Sequence, residues 1–458
     1  MEITLYELGE ILGSMGNYFD FPNIKFKGIK TDSRLVEQGD LFICLIGKNF
    51  DAHGFAKDAV AKGATGIVAM RWITELQDQV PIVIVPDTYN ALLEIAKYMR
   101  DKFGGKVIAI TGSCGKTSTK EILYSILAKS HKTEKNYKNW NNLVGVPLSI
   151  FSFSGKEDFW ILELGISFKN EMEKLGDVVK PDIACITNVG PVHLQGLGSV
   201  EGVAHEKSKL ISFVKKDGFC VINKDYKELV KETEKYNVNK IYFGDNTKFQ
   251  IKFLGVDDSL KGLFNLILED VNLNIKTNLN LSVFSENILA AATTAYLLGV
   301  NTHDIVEGIK AVLLPEHRTR WFKAEDILIL DDCYNANPMS MRRIFDDLSK
   351  INIKRPLIAI IGDMLELGDV AEKEHYKLGK YLGGKDIDII FYKGKFFEKF
   401  SEGIRQQKNN TRLFYIASIN DFIDIWNSLK IFEGTVVVKG SRGMKLEKFV
   451  DEVLRSRG

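Results

Sequence analysis

A chain of 458 residues exceeds what one hydrophobic core ordinarily organises and points to about three domains. Its 61 Lys and Arg nearly balance its 60 Asp and Glu, so no global field favours nucleic acid or a membrane surface, and small-molecule chemistry is the stronger expectation. No apolar run approaches the roughly 20 residues of a membrane span, Met1 to Gly9 lack a leader pattern, and the scattered Cys44, Cys114, Cys185, Cys220 and Cys333 suit neither a disulfide framework nor a structural zinc site, so a reduced, cytoplasmic protein is expected.

In chain order, short apolar strands such as Leu41 to Leu45 and Ile82 to Val85 alternate with a helical stretch from Phe55 to Lys62. This pattern predicts a small α/β domain over 1–103, ending near Phe103-Gly104-Gly105. Val107 to Ile110 is unbroken in its apolarity, as a buried parallel strand is, and Phe159 to Leu162, Ile183 to Thr187 and Phe219 to Ile222 continue the same sheet. Asn246 to Ser282 has little helical period and is expected to be an antiparallel addition, after which a helix from Asn287 to Leu298 closes a central domain over 104–314. Beyond Pro315, strands Ile327 to Leu330, Leu357 to Ile361, Ile387 to Phe391 and Thr435 to Val438 are separated by helix-length stretches. They predict a doubly wound, Rossmann-like domain over 315–458, so the fold class is α/β in three domains joined by short hinges.

Thr111-Gly112-Ser113-Cys114-Gly115-Lys116-Thr117 stands between a buried strand and a helix whose apolar face is Ile122, Leu123, Ile126 and Leu127. Glycines let backbone N–H groups face anionic oxygens, the helix N-terminus adds positive potential, Lys116 reaches the β- and γ-phosphates, and Thr117 can hold Mg²⁺. ATP is the natural ligand of this loop, which includes the adjoining Ser118. Glu163 ends one apolar strand and His193 follows another, so both are expected in the crevice beyond the strand ends, where a carboxylate and an imidazole suit divalent cations. Each alone reads more readily as a strand-end polar residue.

The usual G-x-x-x-x-G-K-[ST] spacing requires glycine where Ile110 stands, and the variant T-G-x-x-G-K-T resembles the Mur ligases and their folate-ligating relatives. The order Lys116, Glu163, His193 resembles the Mur ligase centre. Lys207 falls where that family carries a lysine carbamylated by carbon dioxide, although its polar surroundings, His205, Glu206 and Lys209, also fit a solvated helix face. The resemblance implies Lys116, Glu163, His193 and Lys207 as catalytic residues, and Thr117, Glu163, His193 and Lys207 as holders of two Mg²⁺ ions.

Further segments extend the match over most of the chain. Thr31-Asp32-Ser33-Arg34, with Gly39 to Phe42 and Gly47 to Gly54, resembles the part that holds the uridine diphosphate end of the substrate, implying Ser33 and Arg34 as contacts. Asn139-Trp140-Asn141-Asn142 to Pro147 resembles a segment lining the nucleotide-peptide site, implying Asn139 and Asn142. Asn287, Arg318 and the Asp332, Tyr334 and Asn335 of the Asp331 to Pro338 segment are implied on the ATP side. Gly362-Asp363-Met364-Leu365-Glu366-Leu367-Gly368 with His375, and Val438 to Arg442, complete the pattern. Val283-Phe284 and Ser167 depart from it, standing where the family usually has His-Asn and Asn.

Within the family the implied activity is the ATP-dependent joining of D-alanyl-D-alanine to UDP-N-acetylmuramoyl-tripeptide through an acyl phosphate, by a monomer. A folylpolyglutamate synthase shares the loop and metal residues but not the Asn-rich and Gly-Asp-Met segments. A nucleotide-driven switch would share the loop alone.

Overall fold

The computed structural model describes residues 2–13, 15–407 and 410–456. Near the N-terminus, Gly28–Lys30, Asp40–Ile43, Gly66–Ala69 and Ile82–Ile84 pair in parallel in that order, and Met15–Gly16 adds an antiparallel edge. The helix Thr88–Lys102 begins where the Asp87 carboxylate accepts the N–H groups of Tyr89 (2.7 Å) and Asn90 (3.2 Å), and it buries Leu92, Ile95, Ala96 and Met99. Its buried Arg100 ties this region to the next sheet, donating to Val179 O at 2.7 Å and Asp182 Oδ2 at 3.0 Å.

The central sheet runs Asn239–Phe243, Phe219–Asn223, Ile183–Ile186, Lys106–Thr111, Phe159–Glu163, Thr133–Lys135, all parallel. Lys106–Thr111 is the first of these in sequence and has later strands on both sides, so the strand order reverses there and a crevice opens beyond its C-terminal end. The helix Lys116–Leu127 starts at that crevice. Phe249–Val256, Gly262–Leu268 and Val271–Thr277 form the expected antiparallel addition, and the inward Phe264, Leu266 and Leu268 alternate with half-exposed neighbours as the strand period of two requires. This small sheet packs on the helix Ser285–Leu297.

The C-terminal sheet runs Arg320–Ala324, Asp326–Asp332, Glu433–Lys439, Leu357–Gly362, Ile389–Lys393, Arg412–Tyr415, parallel except for the first strand. The last strand in sequence order among its inner members, Glu433–Lys439, is inserted between the first two, which places a second switch point facing the central crevice.

Three separate cores were expected, and the packing differs. Among the described residues the buried apolar side chains form four clusters that follow sheet faces. One joins Leu8, Leu92 and Met99 to Trp160 and Ile186, and another joins Ile108 and Leu266 to Ile361 and Tyr392. A doubly wound sheet carries helices on both faces, so each face makes its own layer, and a layer continues wherever the neighbouring body abuts it. All five cysteines are free, and no helix among the described residues is long and apolar enough to cross a membrane.

Candidate functional site

The loop after Lys106–Thr111 is held by asparagines that lie far from it in sequence. Asn188 Oδ1 accepts the N–H groups of Ser113 (3.1 Å) and Cys114 (2.8 Å), and its Nδ2 donates to Cys114 O at 3.1 Å. Asn287 Nδ2 donates to Gly115 O at 3.2 Å and to Thr119 Oγ1 at 3.1 Å, so Asn287 braces the loop from below. Gly115 has φ +75°, and a Cβ there would stand 2.0 Å from Asn287 Nδ2, so both conformation and space demand glycine. Thr111 Oγ1 donates to Leu164 O, Ser113 Oγ meets Gly190, and Ser118 is buried in the first helical turn.

Glu163 is the hub. It ends its strand with 2% exposure, and its Oε2 accepts from Thr117 Oγ1 at 2.8 Å while its Oε1 accepts from Asn141 Nδ2 at 2.7 Å. Lys120, fully buried, places Nζ 3.9 Å from Glu163 Oε2 and donates to Asn136 O at 2.8 Å. Asn136 in turn receives Glu163 N–H at 2.9 Å and donates to Glu163 O at 2.9 Å. Buried polar groups carry a penalty unless satisfied, and here both carboxylate oxygens, the N–H and the C=O of Glu163 are engaged. Lys120, Asn136, Asn141 and Asn188 were not singled out by the sequence, although Lys120 sits one helical turn after Lys116 and on the same face, which is the signal that could have found it.

Lys116 donates from Nζ to Gly112 O at 2.8 Å. Burial pushes its amine below the usual lysine range, Arg318 adding repulsion and Glu163 opposing both. Lys207, on the helix Val200–Ser208, is buried rather than on a solvated face, and desolvation with the nearby Lys116 charge drives its amine far below the ordinary range. Lys116 and Arg318 thus face a region where Glu163 supplies the negative charge, with Lys207 buried beside them.

His193 takes φ +50° at the start of the short helix Leu194–Leu197, a conformation unusual for a residue with a side chain. Its Nδ1 lies 2.6 Å from Glu366 Oε2 and 3.4 Å from Ser167 Oγ. The imidazole holds the Glu366 carboxyl below the usual carboxylate range.

From the C-terminal body, Arg318 stacks its guanidinium 3.9 Å from the centre of the Tyr334 ring. Residues 317 and 319 on either side have φ +62° and +52°, so the backbone turns sharply to present it. Asp332 accepts from Thr319 N at 3.1 Å and from Lys439 Nζ, and Lys439 also donates to Asn335 O at 3.2 Å. Asn337 caps the helix Pro338–Leu348 through Ser340 N (2.8 Å) and donates to Cys114 Sγ of the phosphate loop at 3.0 Å. Asp332, Tyr334 and Asn335 are therefore one patch, brought to the loop by Asn337.

Asn142 Oδ1 accepts the N–H groups of Val144 (3.1 Å) and Gly145 (2.8 Å), so its side chain is engaged at the start of the helix Gly145–Ser152; its neighbour Asn141 is the one that reaches Glu163. Asn139 is exposed in the same turn. Ser33 and Arg34 lie between the strands Gly28–Lys30 and Asp40–Ile43 of the N-terminal sheet, in a turn that Asp32 closes by accepting Arg34 N at 3.0 Å and Arg34 Nε at 2.9 Å.

Three family patterns match in order along the chain: the Mur ligase family catalytic domain over residues 25–98, the Mur ligase middle domain over 110–295, and the Mur ligase glutamate ligase domain over 317–442. The chain is 32% identical over 465 aligned residues to the UDP-N-acetylmuramoyl-tripeptide--D-alanyl-D-alanine ligase of Buchnera aphidicola subsp. Baizongia pistaciae, covering 99% of each. A crystal structure of MurF from Acinetobacter baumannii superposes with a TM-score of 0.91 at 27% identity, covering 99% of each chain. MurF ligase from Thermotoga maritima in complex with ADP superposes with a TM-score of 0.82 at 26% identity, covering 94% of this chain and 98% of that one.

Proposed function

The chain belongs to the Mur ligase family, and on that premise we propose that it is the ATP-dependent ligase that adds D-alanyl-D-alanine to UDP-N-acetylmuramoyl-tripeptide, giving the UDP-muramoyl-pentapeptide precursor of peptidoglycan. The observation that carries this reading is the strand-end phosphate loop with Lys116 backed by the buried Glu163 hub, within a chain whose relatives match it from end to end.

A carboxylate resists attack because its leaving group would be oxide. The terminal carboxylate of the tripeptide therefore attacks the γ-phosphorus of ATP; a C–O–P link forms, the bond to ADP breaks, and ADP leaves. The neutral amine of D-alanyl-D-alanine then attacks the acyl carbon, the C–N bond forms, and phosphate departs with the former carboxylate oxygen while the nitrogen loses one proton to solvent and keeps the other as the amide N–H. Phosphoryl transfer needs mainly positioning and charge neutralisation. Lys116 leaves Gly112 O for the β- and γ-oxygens, the N-terminus of Lys116–Leu127 faces the phosphates, and Arg318 approaches from the other side. The remaining loop residues Thr111 to Ser118 shape the cradle, Asn287 braces it, and Asp332, Tyr334 and Asn335 hold the adenosine end.

The hydroxyl of Thr117, the carboxylate of Glu163 and the imidazole of His193 are a donor set that suits Mg²⁺, and the first two already lie 2.8 Å apart. Two such ions supply neutralisation of phosphate charge as the γ-phosphoryl group moves. Lys207, buried with its amine pushed well below the ordinary lysine range, would complete the set as a carbamate: the amine nitrogen would bond to the carbon of carbon dioxide with release of a proton, giving an anionic group that suits Mg²⁺ as an ammonium does not. Wild-type protein in ¹³C-bicarbonate is expected to show a carbamate carbon by NMR, and Lys207→Met to lack it.

Ser33 and Arg34 take the uridine diphosphate end on a substrate domain over 1–103, Asn139 and Asn142 line the peptide path in the ATP domain over 104–314, and a closing domain spans 315–458; positions 1, 14, 408, 409, 457 and 458 of this division lie outside the described residues. The enzyme acts as a cytoplasmic monomer. With UDP-muramoyl tripeptide and ATP present, ADP release is expected to require D-alanyl-D-alanine and to stay near background with free glutamate. Equal turnover with glutamate, or turnover indifferent to any amine, would remove this reading.

A further inference from the structure

The Gly362 to Gly368 segment is fixed in place far more firmly than a surface loop needs to be. Asp363 accepts from Tyr392 OH at 2.7 Å and from Lys395 N at 2.9 Å; Met364 N donates to His375 Nε2 at 2.9 Å, and Leu365 N to Ser441 Oγ at 2.9 Å. His375 is fully buried, donates from Nδ1 to Ala371 O at 2.7 Å and accepts Met364 N–H on Nε2, and burial pushes its imidazole below the usual histidine range, so its role is to hold this backbone. The next residue, Glu366, turns at φ +63° and projects out of the C-terminal body with 64% of its side chain exposed. Its carboxylate reaches His193 of the central body at 2.6 Å. Two residues later Gly368, at φ +58°, passes so close to Gln195 that a Cβ would stand 3.2 Å from the Gln195 Cβ.

We propose that Glu366 is a positioning residue which, as the C-terminal body closes, accepts the Nδ1–H of His193 and turns its Nε2 toward a divalent cation. The inference rests on His193 being a cation ligand, as in the function proposed above. A histidine that binds a metal ordinarily donates its other ring N–H to a carboxylate or carbonyl, which fixes the tautomer and raises the basicity of the ligating nitrogen. Ser167 Oγ, the other group near Nδ1, is neutral and more distant at 3.4 Å. Because the carboxylate comes from one body and the imidazole from another, the ligand is fully oriented only in the closed arrangement. Closure is thereby linked to the metal centre through two side chains, and the anchored loop from Asp363 to Leu365 supplies the rigidity that the link requires.

The test is a Mn²⁺ titration of the full chain, followed by electron paramagnetic resonance of free Mn²⁺, with ADP and UDP-muramoyl tripeptide present. Glu366→Ala is expected to weaken Mn²⁺ binding about tenfold, within the range ordinary for loss of an outer-sphere partner. Glu366→Gln, which still accepts the hydrogen bond but without charge, is expected to fall between that variant and wild type. His193→Ala weakens binding at least as much, and adding Glu366→Ala to it causes no further loss, because one residue acts through the other. Wild-type Mn²⁺ affinity in Glu366→Ala, beside weakened binding in His193→Ala, would overturn the positioning role alone, as would losses that multiply in the double variant. Unchanged binding in His193→Ala would instead overturn the cation-ligand reading beneath it.

Discussion

The floor of the crevice is knitted by buried hydrogen bonds from Asn136, Asn141, Asn188 and Asn287, whereas the C-terminal cover meets it near the rim, through Asn337 on Cys114, Glu366 on His193 and Arg343 on Glu286. The two are built for different tasks. Leaving one buried partner unsatisfied costs about 1–3 kcal/mol, so the floor keeps its geometry whether or not ligand is bound. Rim ion pairs contribute about 0–1 kcal/mol each, so these contacts add little resistance to movement of the cover beyond the apolar layer that the two bodies share. In the proposed function, charge neutralisation belongs to the floor and alignment to movement of the cover.

If this division is right, the largest effects come from the floor. Lys116→Ala is expected to reduce amide formation about 10²–10³-fold, the range for removing one donor aimed at developing charge, with an unchanged far-ultraviolet circular dichroism spectrum. Asn141→Ala leaves Glu163 Oε1 without its partner and is expected to lower turnover about 10–100-fold, mainly in kcat. A comparable loss confined to KM for the tripeptide would instead make Asn141 a substrate contact.

The cover should respond more mildly. Arg343 pairs with Glu286 at 2.7 Å and also meets Tyr226, with about a quarter of each ion-pair side chain exposed. Arg343→Ala is expected to shift the closed population by up to about fivefold, the equivalent of a rim pair worth about 1 kcal/mol. In small-angle scattering, wild type becomes more compact when nucleotide and tripeptide are added, and the variant needs more ligand for the same change. Equal compactness with and without ligands would erase the distinction between floor and cover. Smallest of all, Asn142→Ala removes the hydrogen bonds to Val144 and Gly145 in the turn before the helix Gly145–Ser152 and is expected to cost about 1 kcal/mol in urea unfolding together with a rise in KM for the tripeptide. Loss of stability with KM unchanged would restrict Asn142 to holding that turn.

What could be read from the sequence follows the same line. The phosphate loop was legible because its strand, glycines, lysine and helix are contiguous, and each of those features has a local physical reason. Glu163 could be placed at the end of one strand and His193 shortly beyond another because unbroken apolar runs mark the strands of an open parallel sheet. Lys120 was missed because a lysine in the middle of a helix reads as a solvated face, and only the fold shows it buried against Glu163. Asn141 and Asn142 could not be told apart because adjacent residues in a turn face different partners, which sequence spacing does not resolve. Edge strands such as Arg320–Ala324 and Arg412–Tyr415 escaped notice because their half-exposed, charged residues lack the apolar run of an inner strand. Glu366 was recognised only as part of a segment, since its partner His193 is supplied by another body across the crevice.

Activation of the tripeptide carboxylate by phosphoryl transfer is tested directly by oxygen tracing. With ¹⁸O in both oxygens of the terminal carboxylate, and with ATP, Mg²⁺ and D-alanyl-D-alanine supplied, the released inorganic phosphate is expected to carry one ¹⁸O per amide formed. Unlabelled phosphate accompanying pentapeptide formation would contradict the acyl-phosphate route.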